Sequence, residues 1–198
     1  MNKVLSCLLP AAAIALLSAT AAAAAPFNGP YVGAAIGMDN YEIRASGDGD
    51  IIDSLNAKGV VGGVYGGYDY ALGKQGFVGG EVSADISGAE SKLDLFGYEL
   101  KAKAKGSFGI SGRAGTKVND TTGVYARLGW VNTNFTAVDG GVSGSKTQSG
   151  FTYGVGIETV LNATASLRAE YNTADYGKIF DYLHVKNSQF KVGLSYRF

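Results

Sequence analysis

The chain has 198 residues, of which 46% are hydrophobic and 17% are charged, and its 17 basic groups balance its 17 acidic groups. Glycine is abundant, with 30 residues against three prolines, but it does not recur at every third position as a collagen helix requires. The composition therefore excludes a collagen-like fibre and argues against a disordered chain, and the balanced charge gives no basic field for nucleic acid.

The first 24 residues have the pattern of a secretory signal peptide. A short positive start at 1–3 is followed by an apolar run over 4–17 and then by small residues. The run is too short to span a membrane as a helix. We predict cleavage after Ala24, with Ala25 as the alternative, which leaves 25–198 as the mature domain. The one cysteine, Cys7, lies in the removed segment, so we expect no disulfide and no thiolate metal site in the mature chain. His184 is the only histidine, so we expect no histidine-based metal site either, and we expect no cofactor.

The mature segment alternates apolar and polar residues with the two-residue period of a β-strand. The pattern is clearest at 189–198, where every even position is apolar or aromatic and every odd position is polar or glycine. The same period predicts eight strands, in chain order 30–44, 58–70, 76–88, 100–118, 123–136, 149–161, 165–176 and 189–198. The chain is therefore predicted to be all-β.

The connections between these strands alternate in length. Short breaks are predicted near 72–75, 119–122 and 162–164, and mostly longer ones near 46–56, 89–99, 137–147 and 177–181. An even number of strands, with short turns at one end and longer loops at the other, is typical of a transmembrane barrel, in which about 9–11 residues cross the bilayer. We predict an eight-stranded antiparallel up-and-down β-barrel that spans a membrane.

The position of the aromatic residues indicates which face of the barrel is apolar. A soluble lipocalin-like barrel also alternates, but it keeps its apolar face inside. Here aromatic side chains lie near the strand ends, as in the two aromatic girdles of a membrane barrel. The predicted girdles contain Tyr68 and Tyr70 at the short-turn end, and Phe108, Trp130, Phe151 and Tyr153 towards the other end.

Four glycine-rich segments carry a resemblance to a known family. They are 29–37, 62–68, 153–158 and 192–198, and together they resemble the small eight-stranded outer-membrane proteins of proteobacteria, a group that includes opacity-type surface antigens and porin-family proteins. The resemblance implies an outer-membrane location, contact with outer-membrane lipid and no shared catalytic residue. It also implies that Tyr196 and Phe198 form a C-terminal signal for the barrel-assembly machinery.

The polar face of the predicted strands carries charges of both signs. In an apolar-outside barrel they point into a lumen that is just wide enough for side chains, where opposite charges at one level are expected to pair. The predicted lumen cluster contains Glu81, Asp85, Arg113, Lys117, Arg127, Glu158, Arg168, Glu170, Lys191 and Arg197. We therefore expect a plugged lumen, with a narrow porin-like channel for ions or small solutes as the alternative.

The function that follows is structural or surface-interactive, in envelope integrity or adhesion. We expect a monomer whose loops meet a host or surface ligand. Lys101, Lys103 and Lys105 could contact lipopolysaccharide phosphates, but we interpret them as the solvated end of a strand.

A remote alternative is a lipid-A-modifying enzyme, since some deacylases of this barrel type place a histidine and a serine two residues apart. Here Lys186 stands two residues after His184, so we predict no enzymatic activity.

Overall fold

A computed structural model describes the backbone at residues 26–47, 50–88, 90–95, 98–139, 142–179 and 183–198. The predicted signal peptide, 1–24, lies outside the described residues. The described strands are β1 (Gly29–Gly47), β2 (Asp50–Leu72), β3 (Gly76–Ser87), β4 (Glu90–Leu95), β5 (Tyr98–Lys117), β6 (Thr122–Asp139), β7 (Val142–Val160), β8 (Ala165–Ile179) and β9 (Leu183–Arg197). No helix in this described part has the length and apolarity that crossing a membrane requires.

Eight of these strands close into a ring. Neighbours in the chain pair antiparallel, except that β3 and β4 do not pair with each other and β3 pairs with β5 instead. Strand β1 also pairs with β9, which closes the ring. Strand β3 pairs with residues 106–116 of β5, and β4 pairs with residues 98–103 of the same strand. Strand β4 therefore continues the position of β3 in the barrel wall and does not add a ninth strand to the ring. The predicted eight-stranded antiparallel barrel is confirmed.

The hydrogen-bond register sets the tilt and the width of the barrel. A walk perpendicular to the strands that leaves β1 at Val32 returns to β1 at Glu42, ten residues further along. The partners on this walk are Gly66, Val82, Ile110, Trp130, Phe151, Asp175 and Lys186. With ordinary strand spacings, this stagger gives a tilt of about 41° and a backbone radius of about 8 Å. Such a barrel has room inside for side chains and little else.

In the strands whose side chains the structure describes, the apolar face points outward. On β2, for example, the Val64 side chain is 60% exposed and the next one, Tyr65, is only 6% exposed. Exposed apolar residues run from Phe108 on β5 to Val118, the residue directly after this strand, which at this tilt covers about 25 Å along the barrel axis. This is the height of the apolar band of a membrane barrel. The predicted orientation, with apolar residues outside and polar residues inside, is thus present in the structure.

The strands are longer than the sequence predicts. Strand β2 has 23 residues and β1 has 19, where 9–11 would cross a bilayer. Most of the segment predicted as a loop at 46–56 belongs to these two strands, which remain paired as far as Gly47 and Asp50 with one register shift after Ala45. The prediction of long open loops was therefore wrong. In a ribbon with water on both faces, polar residues can continue a strand without the apolar alternation that identifies it in a sequence.

Candidate functional site in the barrel lumen

The charged side chains of the lumen form layers, and the layer nearest the short turns contains two acids and two arginines. Arg113 Nε donates a hydrogen bond of 2.8 Å to Asp69 Oδ1, and its Nη1 donates one of 2.9 Å to Glu158 Oε2. Arg197 Nη1 lies 3.0 Å from Asp69 Oδ2, and its Nη2 lies 2.6 Å from Glu158 Oε1. All four side chains are buried. We call this set, Asp69, Arg113, Glu158 and Arg197, the lower layer; its formal charge is zero.

Aromatic rings surround the lower layer. The Arg113 guanidinium lies 4.6 Å from the ring centre of Tyr31 and 4.9 Å from that of Tyr125, and Arg197 lies 5.2 Å from that of Phe27. Phe27 is fully buried and stacks on Phe77 at 4.5 Å. These rings attract the guanidinium cations through their faces and exclude water from the ion pairs, which strengthens the electrostatic interactions there.

A second neutral layer lies above the first and contains Glu81, Arg127, Arg168 and Glu170. Arg168 Nη1 lies 2.6 Å from Glu81 Oε2 and 3.7 Å from Glu170 Oε1. Arg127 uses a single nitrogen, Nη1, for both acids, at 2.8 Å from Glu81 and 3.3 Å from Glu170. We call this set the upper layer. It is also buried, so its charges are stabilised by pairing and not by solvent.

Two tyrosines whose rings lie beside the lower layer donate hydrogen bonds to the two acids of the upper layer. Tyr31 donates a hydrogen bond of 3.0 Å to Glu81 Oε2, and Tyr125 donates one of 2.6 Å to Glu170 Oε1. The same two rings flank Arg113, so each tyrosine contacts both layers. The Tyr125 ring lies over Gly156, where an added Cβ would stand 2.4 Å from ring atom Cζ. Glycine at that position is therefore required by the close approach of the ring.

Above the upper layer, Lys191 Nζ lies 3.1 Å from each carboxylate oxygen of Asp85. Beyond this pair is a cavity of about 30 Å³, lined by polar residues that include Asn172, Asn187 and Gln189. A cavity of this size accommodates about one water molecule. Side chains thus fill the lumen over the two layers, and a small polar space lies above them.

Of the predicted lumen residues, the structure brings nine into these contacts and places one apart. Lys117 is half-buried at the short-turn end of β5, away from both layers. The prediction also missed Asp69, a fully buried member of the lower layer. The sequence contains the pattern that predicts its direction. Asp69 lies between Tyr68 and Tyr70, which point outward, so the alternation of side chains along a strand places Asp69 on the inward face. Asp39, also buried, was missed in the same way after the outward Met38.

The predicted girdle residues all point outward. Tyr68 and Tyr70 are exposed near the short turns, and Phe108, Trp130, Phe151 and Tyr153 are exposed on the other side of the apolar band. Trp130 and Phe151 are direct cross-strand neighbours whose ring centres lie 5.5 Å apart, edge to face. Tyr196 is exposed as well, with its ring 5.0 Å from that of Phe198. Their proposed role in assembly stays a prediction.

A polar cluster lies on the outer wall above the apolar band. His184 Nε2 lies 2.8 Å from Asp175 Oδ1, and Lys186 Nζ lies 3.8 Å from Asp175 Oδ2. Partial burial raises the pKa of Asp175, but the Gly177 N–H group and His184 outweigh it and hold that pKa below its ordinary value. The cluster faces outward, because Asp175 alternates with the buried Ala174 and Tyr176.

Comparison with known proteins identifies the family of the chain. The family described as outer membrane protein beta-barrel domain matches residues 9–198. The chain belongs to this family. The 31 kDa outer-membrane immunogenic protein of Brucella melitensis biotype 1 is 28% identical, over 81% of this chain and 72% of the relative, and the protein of the same name from Brucella suis biovar 1 matches equally.

Solved structures show the same fold. Neisserial surface protein A superposes with a TM-score of 0.60 and 17% identity, over 86% of this chain and 98% of that one. Ail, the attachment invasion locus protein of Yersinia pestis, gives a TM-score of 0.53 and 16% identity, over 86% of this chain and 99% of that one. The protein is therefore an outer-membrane β-barrel. In such barrels the short turns are periplasmic and the long hairpins are extracellular.

Proposed function

We propose that this outer-membrane barrel acts at the cell surface, in adhesion or envelope integrity, and that its lumen is closed to solutes. The supporting observation is the pair of neutral ion-pair layers, in which four arginines and four acids fill a barrel of about 8 Å backbone radius. Opening a continuous path would require breaking buried ion pairs, each of which costs several kcal/mol when one partner is lost.

The long hairpins support the surface role. Strands β1, β2, β5, β6 and β7 have 18 to 23 residues, so paired backbone extends beyond the height of the apolar band. The Brucella relative is named an immunogenic outer-membrane protein, and Ail has a structure in complex with the heparin analogue sucrose octasulfate. We propose that the external hairpins of this chain likewise carry its contacts with lipopolysaccharide or with a host or surface ligand.

Planar-bilayer recording tests the closed lumen. Purified protein, first shown to be folded by its shift in gel migration on boiling, is expected to give no steady conductance. Arg127→Met is expected to raise the open probability, because it leaves Glu81 and Glu170 with only Arg168 between them. Lys117→Met removes a cation from the same lumen outside the layers and is the matched control. A large steady conductance from the wild type would overturn the closed-lumen proposal.

Deletion of hairpins tests the surface role. Shortening the β1–β2 and β6–β7 hairpins above Met38 and Trp130 leaves both ion-pair layers intact, so the barrels are expected to remain heat-modifiable. Cells that carry the shortened proteins should adhere less to host cells or matrix than cells with the full protein. Unchanged adhesion and unchanged envelope permeability in these cells would remove the basis of this role.

A narrow channel is the second candidate, and one observation favours it. Arg127 holds both acids of the upper layer through one nitrogen, while Arg168 is within 4 Å of the same two acids. Moving Arg127 would break contacts at one nitrogen only and would leave Arg168 within 4 Å of both acids, so we propose this side chain as the gate of such a channel. Brief openings in the wild type that become frequent in Arg127→Met would support the channel.

We further propose that the protein is not an enzyme. His184 pairs with Asp175 on the outer wall, but the residue two positions after it on the same face is Lys186, which cannot act as the serine nucleophile of a deacylase. Incubation of the folded barrel with lipopolysaccharide should release no fatty acid, and release that depends on His184 would contradict this proposal.

Residues 1–24 are proposed to be removed on export. Mass spectrometry of protein from isolated outer membranes is expected to find Ala25 at the N-terminus. A chain that begins at Met1 would contradict this assignment, and one that begins at Pro26 would move the cleavage to the position after Ala25.

A further inference from the structure

Apolar side chains meet at the periplasmic mouth of the lumen. Phe27, Phe77 and Tyr125 form one buried cluster there, and Val160 packs against it. Phe77 is the second residue of β3 and Val160 is the last residue of β7, so both lie beside short turns. The Phe27 ring stacks on Phe77 at 4.5 Å, and Phe77 meets the Tyr125 ring edge to face at 6.3 Å. We call this set, Phe27, Phe77, Tyr125 and Val160, the floor.

The Phe27 side chain reaches from one wall of the barrel to the opposite wall. Phe27 lies two residues before β1, and β6 is the strand directly opposite β1 in the ring of eight. An added Cβ at Gly123, the second residue of β6, would stand 2.9 Å from Phe27 Cζ. The Phe27 ring centre also lies 5.2 Å from the guanidinium carbon of Arg197 on β9. One ring therefore crosses the mouth and covers the lower layer from the periplasmic side.

The backbone at Phe27 has an unusual conformation. Its φ is 61°, and Phe27 is the one residue other than glycine with a positive φ in the described part of the chain. This left-handed conformation is costly for a bulky side chain and persists only where the surroundings stabilise it. Here the ring is fully buried, and the Ala71 N–H group donates a hydrogen bond of 3.2 Å to Asn28 Oδ1, which ties the segment to β2. The strained turn directs the ring into the lumen, and burial of the ring offsets the strain.

We propose that residues 26–28 form a periplasmic plug, in which Phe27 seals the lower end of the lumen against water and solutes. An apolar constriction excludes water without any ion pair, so the plug closes the mouth by a different means from the two layers above it. It rests on the proposed closed lumen and assigns the closure at the periplasmic end to Phe27. Water then reaches the lumen from the extracellular end, where the small polar cavity lies.

A thiol in the lower layer reports access through the mouth. The one cysteine of the chain, Cys7, lies in the segment proposed to be removed on export, so Ser166→Cys gives the mature barrel a single thiol. Ser166 is fully buried and donates a hydrogen bond to Glu158 Oε1. The full mature barrel is folded in detergent micelles, and its rate of reaction with iodoacetamide, a small neutral thiol reagent, is followed by mass spectrometry. Gel migration before and after boiling shows that each variant is folded.

Four changes in the Ser166→Cys barrel locate the seal. Phe27→Ala is expected to raise the labelling rate about tenfold or more, because the reagent can then enter at the periplasmic end. Phe27→Gly should do the same, and it carries the measurement if the alanine variant does not fold, because glycine adopts a positive φ without strain. Phe108→Ala removes the same ring from the outer wall and should leave the rate unchanged. Arg127→Met loosens the upper layer but keeps the floor, so it should raise the rate less than Phe27→Ala.

Three results would overturn the plug. One is an equal labelling rate with and without the Phe27 ring, and another is labelling as fast in the barrel that retains Phe27 as in the unfolded chain. The third is a larger increase in Arg127→Met than in Phe27→Ala, which would place the entry at the extracellular end. Bilayer recording separates these failures from failure of the closed lumen. Fast labelling without conductance would overturn the plug alone, whereas steady conductance through the wild type would overturn both.

Discussion

Replacing Arg113 by methionine tests the lower layer most directly. The side chain keeps much of its volume but loses its charge, so Asp69 and Glu158 are left with Arg197 alone and the buried layer changes from neutral to −1. Loss of one partner of a buried ion pair costs about 3–5 kcal/mol. The lost contacts with Tyr31 and Tyr125 act in the same direction, so we expect a free energy of unfolding lower by about 4 kcal/mol.

The double variant Arg113→Met, Asp69→Asn separates charge from packing. It leaves Glu158 paired with Arg197, so the layer is neutral again, and we expect it to recover about half of the loss. Lys117→Met on the same strand should change the free energy by less than about 1 kcal/mol, because Lys117 lies outside the layers.

Urea unfolding in lipid vesicles provides the assay. Trp130 is the only tryptophan and faces the lipid, so its fluorescence reports insertion, and gel migration before and after boiling reports the closed barrel. The argument for a charge-neutral layer would be refuted by an Arg113→Met barrel within about 1 kcal/mol of the wild type, or by a double variant no more stable than the single one.

Three further predictions concern packing, depth and pH. Gly156→Val should lower stability, because its side chain would occupy the space of the Tyr125 ring, and the folded fraction on gels measures this. Trp130 should be quenched more strongly by lipids brominated near the headgroup than by lipids brominated near the chain end, since it lies at the outer limit of the apolar band. The lowered pKa of Asp175 means that its stabilising contacts with Gly177 and His184 are fully present above about pH 4 and are lost as the pH falls through that lowered value. The protection of amides in the β8–β9 hairpin against hydrogen exchange, taken relative to the intrinsic rate at each pH, should therefore fall in acid, but not in Asp175→Asn.

The two-residue period was sufficient to predict the barrel and the direction of its side chains. It correctly predicted that Glu81, Arg113 and Glu170 point inward and that Trp130 points outward, because successive side chains of a strand alternate between its two faces whatever their neighbours are. It could not predict which acid meets which arginine. Arg113 on β5 meets Glu158 on β7, two strands away, and this partner depends on the ten-residue stagger of the whole ring.

The inward tyrosines were the largest omission at the site. Tyr31, Tyr65 and Tyr125 are buried in the lumen, while Tyr68 and Tyr70 face outward, so residue type alone does not distinguish an interfacial tyrosine from a lumen one. Alternation does make the distinction, but a lumen tyrosine also needs a partner for its hydroxyl group. For Tyr31 and Tyr125 these partners are Glu81 and Glu170, which lie on strands distant in the sequence.

The paired hairpins above the membrane determine what kind of surface an antibody or receptor can recognise. Over Lys101–Ala104, each residue of β5 is paired with a residue of β6, so an epitope on these two strands combines residues that are more than 30 positions apart in the chain. An excised linear peptide would lack these neighbours and would pay the entropy of ordering a strand on binding. Vaccine or inhibitor design against this protein should therefore begin from neighbouring hairpins held together, so that the register between them is preserved.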